Sequence, residues 1–146
     1  MEVKNNFTMT VWSKSANESF VRSVVSAFAS QLDPTVEEIS DIKTSVSEAV
    51  TNCIVHAYRD EIGKIYINCE IADNLLTVKI RDRGVGIENV DKAMEPLYTT
   101  AGDERAGLGF AVMQSFMDSI RVRSAVGKGT TVVMKKRISV RYGTKR

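Results

Sequence analysis

Glu48, Asn52 and His56 stand at intervals of four. On a helix that interval puts all three in one stripe, each about 6 Å further along the axis. Ala49, Val50, Cys53 and Ile54 surround the stripe. A solvated polar face would use the same residues, but apolar neighbours leave little room for a broad one, and a pocket wall fits better. Asp82-Arg83-Gly84-Val85-Gly86 closes an alternating apolar run. A carboxylate at a strand end can accept a hydrogen bond from an exocyclic amine such as that of adenine, and Gly84 and Gly86 would let backbone approach a flat ring. A plain surface turn has the same composition.

Two further glycine groups carry a similar choice. Gly107-Leu108-Gly109-Phe110 opens a helix, where free backbone N–H groups favour phosphate; a flexible loop-to-helix junction reads alike. Gly127-Lys128-Gly129-Thr130-Thr131 enters the last strand, and the hydroxyls of Thr130 and Thr131 could serve a ligand directly or through water; the glycines also suit a hairpin. Other nucleotide motifs fail on spacing. Neither Gly84-x-Gly86 nor Gly107-x-Gly109 has the third glycine of the dinucleotide fingerprint. Gly127-Lys128 lacks both the earlier glycine and the following Ser or Thr of a P-loop. The H-R-D and D-F-G elements of protein kinases are absent.

The elements that must position these residues follow from periodicity. Phe7, Met9 and Val11 alternate with Thr8, Thr10 and Trp12, a first strand. Asn17 is placed to cap a helix with Phe20, Val24, Ala27 and Phe28 on one face. Asp33-Pro34 ends it. Thr35, three residues before Glu38, opens a long helix to about Ala57 with Ile39, Ile42, Val46, Ala49, Val50 and Cys53 inward. Strands with Ile65, Ile67, Cys69 and Ile71, then Leu76, Val78 and Ile80, flank an Asp73-Asn74 hairpin turn. Residues 82–107 lack regular pattern, and a loop of that length is usually functional or mobile. A helix from about Leu108 to Met117 and strands around 121–126 and 130–140 complete the chain. The expected fold is an α/β sandwich, a mixed, mostly antiparallel sheet covered by helices on one face, in a single domain spanning 1–146.

Composition narrows the function classes. The 146 residues are one ordinary domain, and 43% hydrophobic with 26% charged residues excludes a disordered chain. A net charge of +2 gives no sign of nucleic-acid binding, so no direct nucleic-acid contact is expected. The basic end, with Lys135, Lys136, Arg137, Arg141, Lys145 and Arg146, reads first as a solvated tail and second as a contact to nucleic acid or an acidic partner. Cys53 and Cys69 fall in apolar patterns and read as small core residues of a reducing compartment. A single histidine makes a His-based zinc site improbable. No apolar run is long enough to span a membrane and no leader pattern opens the chain, so a cytoplasmic protein without membrane contact is expected.

The order of the four groups resembles the Bergerat-type ATP-binding superfamily. Glu48-x-x-x-Asn52-x-x-x-His56 looks like its N-box, Asp82-x-Gly84-x-Gly86 its G1 box, Gly107-Leu108-Gly109 its G2 box and Gly129-Thr130 its last box. Ser47-Glu48-Ala49-Val50-Thr51-Asn52, Pro96-Leu97-Tyr98-Thr99-Thr100, Gly109-Phe110-Ala111-Val112-Met113 and Asn17-Glu18-Ser19-Phe20 resemble more closely the sporulation anti-sigma-F factors of endospore-forming bacteria. That resemblance implies a homodimer that binds ATP with Mg2+, sequesters a sigma factor, and phosphorylates a serine of an anti-anti-sigma protein of the STAS type. It further implies Glu48 as the base, Asn52 as the magnesium-binding oxygen and Asp82 as the reader of the adenine amine. Thr99 and Thr100 through Gly109 would form a lid over the phosphates, with Arg105 a charge partner, and Glu18 and Arg22 would contact protein partners. The lid departs from the pattern in having no lysine after the threonines. Two other functions fit the same residues: a general-stress relative of this kinase type, and a sigma-binding module whose ATP site transfers nothing. A histidine-kinase catalytic domain is disfavoured by the lack of a dimerising helical hairpin.

Overall fold

Thr35 opens the long helix with both halves of a capping box. Its hydroxyl accepts the Glu38 N–H at 3.0 Å, and the Glu38 carboxylate accepts the Thr35 N–H at 2.8 Å. The second Glu38 oxygen accepts the Ser139 N–H at 2.9 Å, which ties the end of the sheet to the start of the helix. Burial pushes the Glu38 carboxyl up, but the bonds from Thr35 and Ser139 outweigh it and hold its pKa below the ordinary value.

The computed structural model describes residues 5–95 and 104–140. In chain order the elements are β1 (Asn5–Trp12), α1 (Ala16–Ala29), a 3-10 turn (Ser30–Leu32), α2 (Val36–Asn52), a π-helical turn (Cys53–Ala57), β2 (Lys64–Ala72), β3 (Leu75–Asp82), α3 (Val90–Met94), α4 (Glu104–Phe116), β4 (Ser119–Ala125) and β5 (Gly129–Arg137). The sheet order is β1-β2-β3-β5-β4, with every neighbouring pair antiparallel. The parallel pairing of a mixed sheet is therefore not found among the described strands. Asp73 and Asn74 both have positive φ, 48° and 65°, the conformation a two-residue hairpin between twisted strands requires. One sheet face carries Ile65, Ile67, Leu76, Val78, Ile80 and Met134, all buried. They join α1, α2 and α4 residues in one core.

Several boundaries differ from expectation. Asn17 lies inside α1 and its amide donates to the Trp12 carbonyl at 2.8 Å; Ser15 precedes the helix without a side-chain cap. The buried face of α1 is Val21, Val25, Phe28 and Ala29, whereas Phe20 is 50% exposed. Phe20, Val24 and Ala27 share the helical spacing of Val21, Val25 and Phe28 one residue on, and spacing alone does not choose between two adjacent stripes. Asn89 caps α3, its side chain accepting the Lys92 N–H at 3.0 Å, inside the stretch expected to be a loop. Helix α4 starts at Glu104, so Gly107 to Gly109 lie within its early turns rather than before it. The last strand stops at Arg137.

Thr35→Ala removes the hydroxyl acceptor at the start of α2 and should lower the unfolding free energy by about 1 kcal/mol in urea titration. The Glu38 pKa is lowered by folding, so its contribution is complete above the unfolded value and is lost as pH falls through the folded one. A urea midpoint for Glu38→Gln that differs from wild type equally at neutral and strongly acidic pH would contradict this linkage.

Candidate functional site

At its C-terminal end α2 loosens. The Tyr58 N–H bonds to the Cys53 carbonyl at 3.1 Å, five residues back, and the chain widens into the π turn directly after Asn52. Tyr58 then fastens this turn to the sheet, its hydroxyl donating to the Lys64 carbonyl at 2.7 Å and accepting the Arg83 N–H at 2.6 Å. Gly84 passes so close behind that a Cβ there would lie 2.3 Å from the Ala57 carbonyl oxygen. The turn, the segment after β3, α3 and the β4–β5 turn enclose a cleft of about 740 Å3.

Asp82, the last residue of β3, is buried in the wall of that cleft. Its Oδ1 accepts the N–H groups of Gly84 at 2.9 Å and Thr130 at 3.2 Å, while Oδ2 faces the Cys53 thiol at 3.5 Å. Burial raises the Asp82 pKa, partly offset by the bonds from Gly84, Cys53 and Thr130. Burial also pushes the Cys53 thiol well up, and the neighbouring carboxylate adds to that, so the thiol stays protonated and donates. Cys53 was expected as a core residue; it is that, and it is also a wall of the cleft. Thr130 is buried beside Asp82, its hydroxyl 2.8 Å from that of Ser124. Ser124, which no sequence pattern singled out, also accepts the Ile87 N–H at 2.7 Å and so shapes the cleft rim.

The N-box stripe forms the adjoining wall. Asn52 and His56 line the cleft. Glu48 is half-buried one turn before Asn52, and both back onto Gly109 of α4, where a Cβ would lie 3.2 Å from Glu48 Oε1 and 3.3 Å from Asn52 Oδ1. The Asn52 amide nitrogen is buried with no hydrogen-bond partner among the described residues, on the side where Asn52 backs onto Gly109. Gly86 also lines the cleft. Among the described residues no three His, Cys, Asp or Glu side chains converge, so a divalent ion here would take most of its oxygen ligands from phosphate and water, as magnesium does. Arg59 and Lys92 are cleft cations that the sequence reading did not single out; Lys92 escaped because α3 is too short to show a period.

Not every expected residue arrives at the cleft. Thr131 alternates to the opposite face of β5, beside Arg81 and Arg83. Thr99 and Thr100 lie outside the described residues, as do the side chains of Arg105 and Leu108; Gly107 is placed only as a backbone position in α4. Glu18 and Arg22 are away from the cleft, paired at 3.6 Å on α1. Glu18 is also bound by the Ser47 hydroxyl at 2.5 Å, and Ser47 is the immediate neighbour of Glu48.

The histidine kinase-like ATPase domain family matches residues 11–136. The anti-sigma F factor of Caldanaerobacter subterraneus subsp. tengcongensis is 60% identical over 139 residues, covering 94% of this chain and 97% of the relative. That of Clostridium acetobutylicum is 52% identical over the same shares. Among experimental structures, the RsbU and RsbW domains of a Mycobacterium tuberculosis protein superpose with a TM-score of 0.66 at 18% identity, covering 92% of this chain and 32% of the other. A blue-light activated histidine kinase of Erythrobacter litoralis gives 0.57 at 20%, covering 84% and 60%. At these identities both structures speak for the fold alone.

The Asp82 corner also sets a stability test. Gly129 has φ +109°, and a Cβ there would lie 2.2 Å from the Asp82 carbonyl oxygen. Gly129→Ala should lower the unfolding free energy by more than about 1 kcal/mol, whereas Gly127→Ala, with open space around its Cβ position at φ +79°, should cost less. Equal losses in thermal unfolding would show that the close approach at Gly129 is not the limiting contact.

Proposed function

We infer the function from a fixed premise: the chain belongs to the histidine kinase-like ATPase domain family and, within it, to the anti-sigma F factors. The protein binds a sporulation sigma factor and uses ATP with Mg2+ to phosphorylate a serine on a STAS-type anti-anti-sigma protein. The observation that carries this reading is the meeting of Glu48 and Asn52 against Gly109, on a cleft whose far wall is the buried carboxylate of Asp82.

Each residue has a task there. Asp82 accepts the adenine amine through Oδ2, the oxygen that backbone leaves uncommitted. Gly86 keeps the floor low for the ring. Asn52 offers its side-chain carbonyl oxygen to the metal edge of the nucleotide, since magnesium takes oxygen ligands. Magnesium, when bound, neutralises phosphate charge during transfer. Glu48 stands one turn away and takes the proton of the incoming serine hydroxyl. Arg59 and Lys92 supply positive charge at the cleft. Thr99, Thr100, Arg105, Gly107, Leu108 and Gly109 belong to the lid side of the site.

Protein partners dock on α1 at Glu18 and Arg22. The half-exposed Phe20 beside them and the open edge of β1 support a homodimer formed through this end of the molecule. No helix among the described residues is long and apolar enough to cross a membrane. A cytoplasmic site of action follows from the proposed partners.

Three sets of variants test the assignment. Glu48→Gln keeps shape but removes the base; it should still bind ATP and the sigma factor, while serine phosphorylation of the anti-anti-sigma protein falls by about 10²-fold or more. Asn52→Ala should lose magnesium-dependent nucleotide binding and both activities with it. A wild-type chain that transfers no labelled phosphate, yet holds the sigma factor only with ATP, would establish the sigma-binding module that transfers nothing. In calorimetry ATP should bind more tightly than GTP by about 10-fold or more, because a guanine carbonyl would leave the Asp82 carboxylate without a donor. Asp82→Asn should erase most of that preference. Arg22→Ala should weaken sigma-factor capture with ATP affinity unchanged; capture at wild-type strength would remove α1 from the docking surface.

A further inference from the structure

The sheet has a second face, which the helices do not cover. On the described strands its side chains include Lys64, Lys79, Arg81, Arg121, Arg123 and Lys135, against a single carboxylate, Glu70. These residues are scattered over seventy positions of a chain whose net charge is only +2, and the antiparallel register gathers them. Arg81 and Arg123 flank Thr131 in one cross-strand row, and Lys79 and Arg121 flank Val133 in the next. Along a strand such neighbours are about 7 Å apart, and across two strands about 10 Å. Among the described residues none of the six makes an ion pair.

Three cations of this face pack over aromatic rings. The Arg81 and Arg83 guanidinium groups lie 4.9 and 5.1 Å from the centre of the Tyr66 ring, and the Lys64 ammonium 5.5 Å from that of Trp12. Arg81, Arg83, Lys128 and Thr131 line a recess of about 420 Å3 that adjoins the proposed ATP cleft at Asp82 and Thr130. Trp12 is 49% exposed at the margin of the face.

We propose that this open sheet face docks single-stranded nucleic acid, its phosphates on the grid of Lys79, Arg81, Arg121 and Arg123 and a base against Trp12. Charge decides the class of partner. A protein-binding surface is depleted of charge at its centre and enriched there in apolar anchors. Here the centre is Lys79 and Arg81; the intervening side chains are threonines, Asn68 and Tyr66, whose ring lies under the Arg81 and Arg83 guanidinium groups, and Val133 is a half-buried exception. Interfaces with nucleic acid are polar and strongly positive. Among the described residues this face presents strand side chains and no helix to enter a duplex groove, while an exposed aromatic beside a cationic track suits unpaired bases. Net charge carries the expectation of no nucleic-acid contact; this proposal rests instead on where the charge sits. Lys79, Arg81, Arg121 and Arg123 do not line the cleft, so the proposal does not rest on the kinase assignment.

The test is fluorescence anisotropy of a labelled single strand of about 16 nucleotides with the full chain. Neutralising four phosphates predicts a log–log salt slope near −3, so that affinity falls about 50-fold between about 50 and 200 mM salt. Lys79→Glu with Arg121→Glu should weaken binding about 10-fold or more, and Arg123→Ala less, both with wild-type ATP affinity as the check on folding. Trp12→Ala should cost about 5-fold. Absence of binding at low salt, or wild-type affinity in the charge-reversed variant, overturns the proposal. Equal or tighter binding of poly-glutamate, or of vesicles rich in anionic phospholipid, overturns it too, by assigning the face to an acidic protein or a membrane surface.

Discussion

A carboxylate taken out of water needs hydrogen bonds in place of the lost solvent, and much of this site is arranged around giving them to Asp82. One bond comes from the loop that follows β3, at Gly84, and another from β5, at Thr130. For Thr130 to reach, β5 must pair beside β3 with Asp82 opposite Thr130, which is the observed register. Gly129 must also lie nearly in contact with the Asp82 backbone. The central pair of the sheet, the glycine before Thr130 and the open oxygen of the carboxylate are thus one constraint seen from three sides. Because both backbone donors go to Oδ1, Oδ2 is left with the Cys53 thiol as its one hydrogen-bond partner among the described residues.

The opposite wall is set by a defect in a helix. Helix α2 could not continue as a regular helix and still place Tyr58 where its hydroxyl bridges the Lys64 carbonyl and the Arg83 N–H. The π turn over Cys53–Ala57 absorbs the difference, immediately after Asn52, and brings Cys53 against Asp82. Extra turns of this kind forgo regular bonding and are frequent at functional sites. The same helix carries Ser47, bonded to Glu18 of α1, one residue before Glu48. The surface that bears Glu18 and Arg22 and the stripe that bears Glu48 and Asn52 are therefore joined through a single short hydrogen bond.

Much of the fold was legible because local rules and tertiary packing agreed. Thr35 and Glu38 formed their box, Asp73-Asn74 formed its turn, and the inward residues of α2, β2 and β3 were those the periods named. Asn52, His56, Asp82, Gly86 and Thr130 line one cleft, with Glu48 one helical turn before Asn52. The failures share a cause. On α1, Phe20, Val24 and Ala27 match the spacing of the true core stripe, and only the neighbouring α2 decides which stripe is covered. Helix α3 is five residues long, below the length at which a period can be read. Thr131 was grouped with Thr130 because they are adjacent, yet adjacent strand residues face opposite ways.

The sequence by itself determined the residue types with chemical capacity, their order, and the local turns and caps, because those depend on contacts a few residues apart. It could not determine the partner of each polar group. That Asp82 spends one oxygen on Gly84 and Thr130, that Cys53 lies against the other, and that Ser47 reaches Glu18 follow from strands and helices distant in sequence coming together. Charge shows the difference most plainly. Summed along the chain, lysines and arginines nearly balance the acids. The alternation of strand side chains and the register of four antiparallel pairs sort them by face, placing Lys79, Arg81, Arg121 and Arg123 together on a surface with Glu70 as its one carboxylate among the described strands. A sum is fixed by composition, but a field depends on distances, and distances belong to the tertiary structure.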